Sequence, residues 1–169
     1  MPDLRSIYFP KLSFPDYNFK VQNGSLPKQT SKIFDIVRKK YVILTPEEWV
    51  RQHLLHFLVN EKKFPASLLS VEKKLLVNNL KKRTDVVAYS SGLKPLMIAE
   101  CKAPAIKISQ HTFDQAARYN LTIGASYFLI TNGLEIIFCR IDHKNNSYKF
   151  FPEVPHYKSL LESDEALKQ

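Results

Sequence analysis

Residues 84–102 read TDVVAYSSGLKPLMIAECK, two β-branched or apolar runs joined by the turn-forming stretch Ser91-Gly92-Leu93-Lys94. Such a pattern has few outcomes besides an antiparallel hairpin, because each run is too short for a helix and is flanked by turn residues. The runs carry two carboxylates, Asp85 and Glu100, and Lys102 follows Glu100 by two. Strand side chains alternate faces, so Glu100 and Lys102 point one way and Ala99 and Cys101 the other. A four-residue loop puts Ser90 opposite Pro95 and, counting back, Asp85 opposite Glu100. Cross-strand partners share a face, so Asp85, Glu100 and Lys102 converge; a slip of one residue would separate them. Ionised groups in an apolar strand need partners or a metal.

The chain has 169 residues, 44% hydrophobic and 12% aromatic, enough for one domain with a substantial core. Its 25 Lys and Arg outnumber 16 Asp and Glu, a formal charge of +9 that favours polyanionic partners, nucleic acid first. Cys101 and Cys139 sit in apolar runs without a CxxC spacing, which points to buried, reduced thiols rather than disulfides or a zinc cluster. Neither a signal-like apolar run in the first 30 residues nor 18 consecutive apolar residues occurs, so the expected location is cytoplasmic, with no membrane partner.

Along the chain, residues 1–32 alternate prolines (Pro2, Pro10, Pro15, Pro27) with aromatics, including Tyr8, Phe14 and Phe19, and read as an extended arm on the body. Residues 33–44 form a strand or hairpin with a basic centre at Arg38, Lys39 and Lys40. Thr45-Pro46-Glu47-Glu48 starts a helix, with Thr45 as N-cap, Pro46 in the first turn and Glu48 at the capping-box position. That helix runs to about Asn60 with Val50, Leu54, Phe57 and Leu58 on one face, and Glu47 at the end of the same stripe. Residues 71–76, 84–90 and 95–102 are expected strands, Ser109 caps a helix over 110–120, and 126–131 and 134–142 are strands joined at Asn132-Gly133. Residues 156–169 form a polar tail or short helix. This order predicts an α/β fold, a central mixed sheet flanked by helices, with the body over residues 33–155.

Two facing carboxylates suit a hard cation such as Mg²⁺, with Mn²⁺ as a substitute, and a third acid from the helix would complete the site: Glu47 by its face, while Glu48 is more simply explained by capping. A lysine alongside can orient or deprotonate an attacking water. The simpler reading is a salt-bridged sheet end in which Asp85 and Glu100 pair with Lys102 and Arg83. Lys73, Lys74, Lys81, Lys82 and Arg83 on one side and Lys107 on the other form a candidate phosphate track. His53 and His56 lack partners at zinc-ligand spacing.

With the stretches TPEEWVRQHLL, KKRTDVVAYS, LMIAECKAP, FDQAARYN and FLITNG in this order, the chain resembles the PD-(D/E)xK nuclease superfamily, and within it the N-terminal nuclease domain of the R subunit of type I restriction enzymes. The resemblance implies a restriction-endonuclease-like core in which Asp85, Glu100 and Glu47 are metal ligands, Lys102 is the catalytic lysine, and Glu47 or Glu48 is the helical acid. Gln115 and Tyr119 match a QxxxY element; one helical turn apart, they share a face and could reach substrate together with Lys82, Arg83 and Lys107. The implied activity is Mg²⁺-dependent hydrolysis of DNA phosphodiesters by activated water. The alternatives are a non-catalytic DNA-binding or assembly module with the same fold, and an RNA-directed nuclease. Thr84 stands where the superfamily often has proline. With four glycines and no GxxxxGK loop the sequence holds no ATP site, so translocation would need a partner, such as restriction-modification or helicase subunits.

Overall fold

The computed structural model describes residues 9–24, 30–77 and 79–167. Two sheets organise them. A three-stranded antiparallel sheet, in the order β1-β2-β3, comprises β1 (Val21–Gln22), β2 (Lys32–Asp35) and β3 (Lys40–Ile43). A six-stranded sheet runs in sequence order through β4 (Leu69–Val77), β5 (Leu80–Tyr89), β6 (Pro95–Cys101), β7 (Tyr127–Thr131), β8 (Ile136–Asp142) and β9 (Ser147–Phe151). Every neighbouring pair of this sheet is antiparallel except β6 and β7. A parallel pair needs a long crossover. Here it contains α2 (Gln110–Leu121), while α1 (Pro46–His56) precedes the sheet and α3 (Tyr157–Ala166) follows it. The fold is therefore the expected mixed α/β class.

Burial explains how the layers stack. Val50, Leu54, Leu55 and Leu58 pack with Val86, Ala88, Met97, Ala99 and Cys101, so α1 covers one face of the central strands. Phe113, Ala116 and Ala117 of α2 pack with Phe128, Ile130, Cys139 and Ile141 on another cluster, and Val87 and Ile98 form a small one with Ala125. By alternation Asp85 and Glu100 belong to the face of Val87 and Ile98, and Ala99 and Cys101 to the core beneath α1. Both cysteines are free and buried; burial pushes both thiols up, Cys139 to about 12, which leaves them unreactive at neutral pH.

Local chemistry sets the helix starts. Thr45 accepts a hydrogen bond from the Glu48 amide at 3.0 Å, and Ser109 accepts one from the Thr112 amide at 3.2 Å. The first helix reaches its expected end near Asn60, but its last part, Phe57–Glu61, is a π-helical turn continuing directly from the α-helix. Two strands, β1 and β9, are absent from the sequence reading, β1 because it spans two residues and β9 because its side chains are mostly exposed and lack a clear apolar alternation.

Residues 9–24 lie against the body. Leu12 and Phe14 are buried, Ser13 donates its amide to Gly133 O at 2.7 Å, and the Trp49 indole donates to Pro10 O at 3.1 Å. The arm residues 1–8, with Pro2 and Tyr8, and 25–29, with Pro27, fall outside the described residues. His53 and His56 sit among Tyr17, Phe19 and Trp49 as packing residues. Gly133 adopts φ +85°, and a Cβ there would come within 2.8 Å of Leu12. Gly133→Ala is expected to lower stability by about 1–2 kcal/mol through the left-handed backbone alone, read as a lower thermal midpoint.

Candidate active site

The hairpin register decides what shares the sheet end. Val86 pairs with Ala99, Val87 with Ile98 and Ala88 with Met97, the register that sets Asp85 across from Glu100 one step further on. Near the turn the count differs from expectation: Tyr89, not Ser90, pairs with Pro95, and a bulge between Ala88 and Tyr89 absorbs the extra residue. On the other side, Val71 pairs with Val86 and Lys73 with Thr84, so Glu72 lies across from Asp85. Glu72, Asp85 and Glu100 thus form one row across β4, β5 and β6, with Glu72 in a left-handed conformation at φ 51°.

This row borders a cleft of about 550 Å³ lined by Glu47, Arg51, Glu72, Arg83, Asp85, Glu100, Lys102, Thr112, Gln115, Ala116 and Tyr119. Of the residues expected from sequence it brings together Glu47, Asp85, Glu100, Lys102, Arg83, Gln115 and Tyr119. Lys102 lies one residue past β6, its amide held by Thr131 O at 2.8 Å, and its ammonium donates to Glu100 Oε1 at 2.9 Å. Tyr119 accepts the Arg83 amide in its hydroxyl at 2.8 Å, which ties α2 to β5 across the cleft.

Two expectations differ from the structure. Glu48 does not line this cleft: it is buried, and its carboxylate accepts from Arg38 Nη2 at 2.7 Å, from Gln52 at 2.9 Å and from Arg51, so it anchors arginines instead of closing a capping box. Lys107 is exposed on the loop before α2 and is not part of the wall. Lys82 has its side chain outside the described residues. Of the other rim lysines, Lys73 stacks over the Tyr89 ring at 5.3 Å.

Arg51 and Glu72 are the residues the sequence reading missed. The Arg51 side chain, 4% exposed, directs Nη2 to both Glu47 Oε1 and Asp85 Oδ1 at 3.0 Å, while Nη1 contacts Glu48 and stands 3.7 Å from Glu72. Glu72 also pairs with Arg38 at 2.8 Å and with Arg83. Both were detectable: Arg51 lies one helical turn after Glu47, and the Asn78-Asn79 turn signal implies the register that sets Glu72 opposite Asp85.

Electrostatics follow from this crowding. Burial and then the neighbouring Asp85 raise the Glu100 carboxyl above its ordinary range, with Lys102 partly offsetting them; the same two causes raise Glu47. Burial alone would lower the Lys102 pKa, but the hydrogen bond and charge of Glu100 outweigh it and raise it, so Lys102 is an ammonium. The cleft wall carries four carboxylates (Glu47, Glu72, Asp85, Glu100) against three cations (Arg51, Arg83, Lys102).

Does this set fit a metal? Among the described residues, no three His, Cys, Asp or Glu side chains are grouped closely enough to hold an ion by themselves. Glu47 Oε1 and Asp85 Oδ1 are occupied by Arg51, and Asp85 Oδ2 accepts the Cys101 amide at 2.8 Å. Glu100 Oε1 accepts from Lys102, so a cation here would rely on Glu100 Oε2 and the second lone pairs of Asp85, a donor set compatible with Mg²⁺, which takes only one or two carboxylates.

The fold defines the class: a mixed α/β domain with an acid-rich cleft and an adjoining lysine on its central sheet. The chain belongs to the type I restriction enzyme R protein N-terminal family (HSDR_N), whose model matches residues 46–155. No curated protein matches. One similar solved structure is a fragment described as an HsdR subunit of a type I restriction enzyme from Vibrio vulnificus YJ016. It is 18% identical with a TM-score of 0.44, covering 64% of this chain and 22% of that one. The chain thus spans about a fifth of that fragment's length. Among the described residues no helix is long and apolar enough to cross a membrane.

A network behind the cleft carries a pH prediction. Asp35 is fully buried, accepting amides from Val37 and Arg38 and side-chain bonds from Arg38 at 2.7 Å and Gln52 at 2.8 Å. Burial opposes ionisation there, but these donors outweigh it and lower the pKa. A depressed folded-state pKa contributes stability above the unfolded value of ~3.9, lost as pH falls through the lower folded value. Thermal midpoints of wild type and Asp35→Asn should therefore converge as pH drops from 5 toward 3; a constant gap would contradict this.

Proposed function

We propose that this domain is a metal-dependent nuclease that hydrolyses phosphodiesters of DNA, as an N-terminal-type restriction domain working without a translocase of its own within residues 1–169. The observation that carries the reading is Lys102 Nζ held 2.9 Å from Glu100, in a cleft where Glu100 faces Asp85. Family membership supports it. Asp85 and Glu100 are the residues that would hold a divalent cation, Mg²⁺ or Mn²⁺, which when bound supplies charge neutralisation at the phosphate and a more acidic water. Lys102, as an ammonium, positions the attacking water or donates to a phosphate oxygen. Gln115, Tyr119 and Arg83 line the wall that a nucleic acid backbone would follow, and Glu47 is held at the rim by Arg51.

A second reading is a non-catalytic DNA-binding or assembly module, favoured by Arg51 Nη2 occupying oxygens of both Glu47 and Asp85. Incubating the protein with supercoiled plasmid, single-stranded DNA or RNA in Mg²⁺ or Mn²⁺ separates them. The expected result is plasmid nicking that stops in EDTA. Cleavage restricted to RNA would reassign the substrate. Salt-sensitive binding with no cleavage of any substrate would favour the module, with restriction-modification or helicase subunits as its partners.

A further inference from the structure

A second concavity, about 510 Å³, adjoins the first, sharing Glu47, Arg51 and Glu72 as a common wall. Its outer wall is the small sheet: Lys32 of β2 with Lys40, Tyr41 and Ile43 along β3, the edge strand. Tyr41 is 38% and Ile43 54% exposed, unusual for apolar groups lining a groove, and both share a face with Lys32 and Phe34 through the pairs Lys32↔Ile43 and Phe34↔Tyr41. Phe34 backs Tyr41 with ring centroids 5.3 Å apart, and Lys20 lies over Phe34 at 5.6 Å. The acids of the inner wall are occupied: Arg38 holds Glu48 and Glu72, and Arg51 holds Glu47. Lys32 and Lys40 have no ion-pair partner among the described residues.

Lys32 on the face of an exposed, supported aromatic ring, with Lys40 at the neighbouring position of the edge strand, matches what a single strand offers: phosphates for the lysines and unstacked bases for the ring. Duplex DNA presents no free base face. We infer that this groove is a binding site for a single-stranded nucleic acid segment that leads past the Glu47-Arg51-Glu72 wall into the candidate active site. The inference rests on the nuclease reading only for what lies beyond that wall. The binding itself requires no chemistry.

The test is therefore made in EDTA. Anisotropy of a labelled dT20 and of a labelled blunt duplex is measured with the full chain, Tyr41→Ala, Tyr41→Phe and the double variant Lys32→Gln/Lys40→Gln. Tyr41→Ala should weaken dT20 binding about tenfold, Tyr41→Phe should bind as wild type, and blunt duplex affinity should not follow Tyr41. Removing two phosphate contacts should flatten the log-log salt slope for dT20 by about 1.4. No dT20 binding by the wild type, unchanged dT20 binding in Tyr41→Ala together with an unchanged salt slope in Lys32→Gln/Lys40→Gln, or an equal loss on blunt duplex would overturn the inference. Failure of plasmid nicking, by contrast, overturns the nuclease reading and leaves this one standing.

Discussion

Arg51→Met is expected to lower the unfolding free energy by about 3–5 kcal/mol, because removing one member of a buried ionic cluster leaves its partners uncompensated. The partners are unusually many: Glu48 is buried, Glu47 and Asp85 share one guanidinium nitrogen, and Glu72 stands 3.7 Å away. In a domain of this size the loss corresponds to a drop in thermal midpoint on the order of 10 °C. Arg51→Lys should fall between, since a point charge cannot fork across carboxylates from a helix and a sheet. An unchanged midpoint for Arg51→Met would mean that the cluster relaxes into water, and the cleft geometry would need revision.

The second large effect concerns chemistry. Lys102→Ala and Asp85→Asn are each expected to slow plasmid nicking by roughly 10²–10⁴-fold, the range for removing a group that positions or transfers a proton. The two should differ in stability. The Lys102 side chain is partly exposed and, among the described residues, bonded to Glu100 alone, so its alanine variant should melt near wild type. Asp85 ties Arg51 to the Cys101 amide, and its asparagine variant should melt lower. Nicking that survives both substitutions would show that the activity originates elsewhere. The paired measurement separates a lost catalytic group from a collapsed cleft.

How much of this was readable before the structure depends on the range of each interaction. Helix starts at Thr45 and Ser109 are determined by residues three apart, and the 84–102 hairpin by its own turn and alternation. The approach of Asp85 to Glu100 follows from that local register, and the bulge at Ala88 and Tyr89 changed the turn without shifting the strands. Glu47 at the cleft rim was legible as a helical face. Glu48 was misread because the capping position is a local signal, whereas its burial against Arg38 depends on packing the small sheet against the helix, 10 residues away in sequence.

The sequence by itself determined the class of fold, the sheet hairpin, and the row position of Asp85, Glu100 and Lys102, because these rest on periodicity, turns and caps acting over a few residues. Tertiary structure decided which cations neutralise the acids, since Arg38, Arg51 and Arg83 reach carboxylates from separate elements only after α1, the small sheet and β4 are packed together. It also decided that Lys107 lies off the cleft and that a second groove opens along β3. Long flexible side chains carry no periodic signal for their partners, so the charge network around the site exists only in three dimensions.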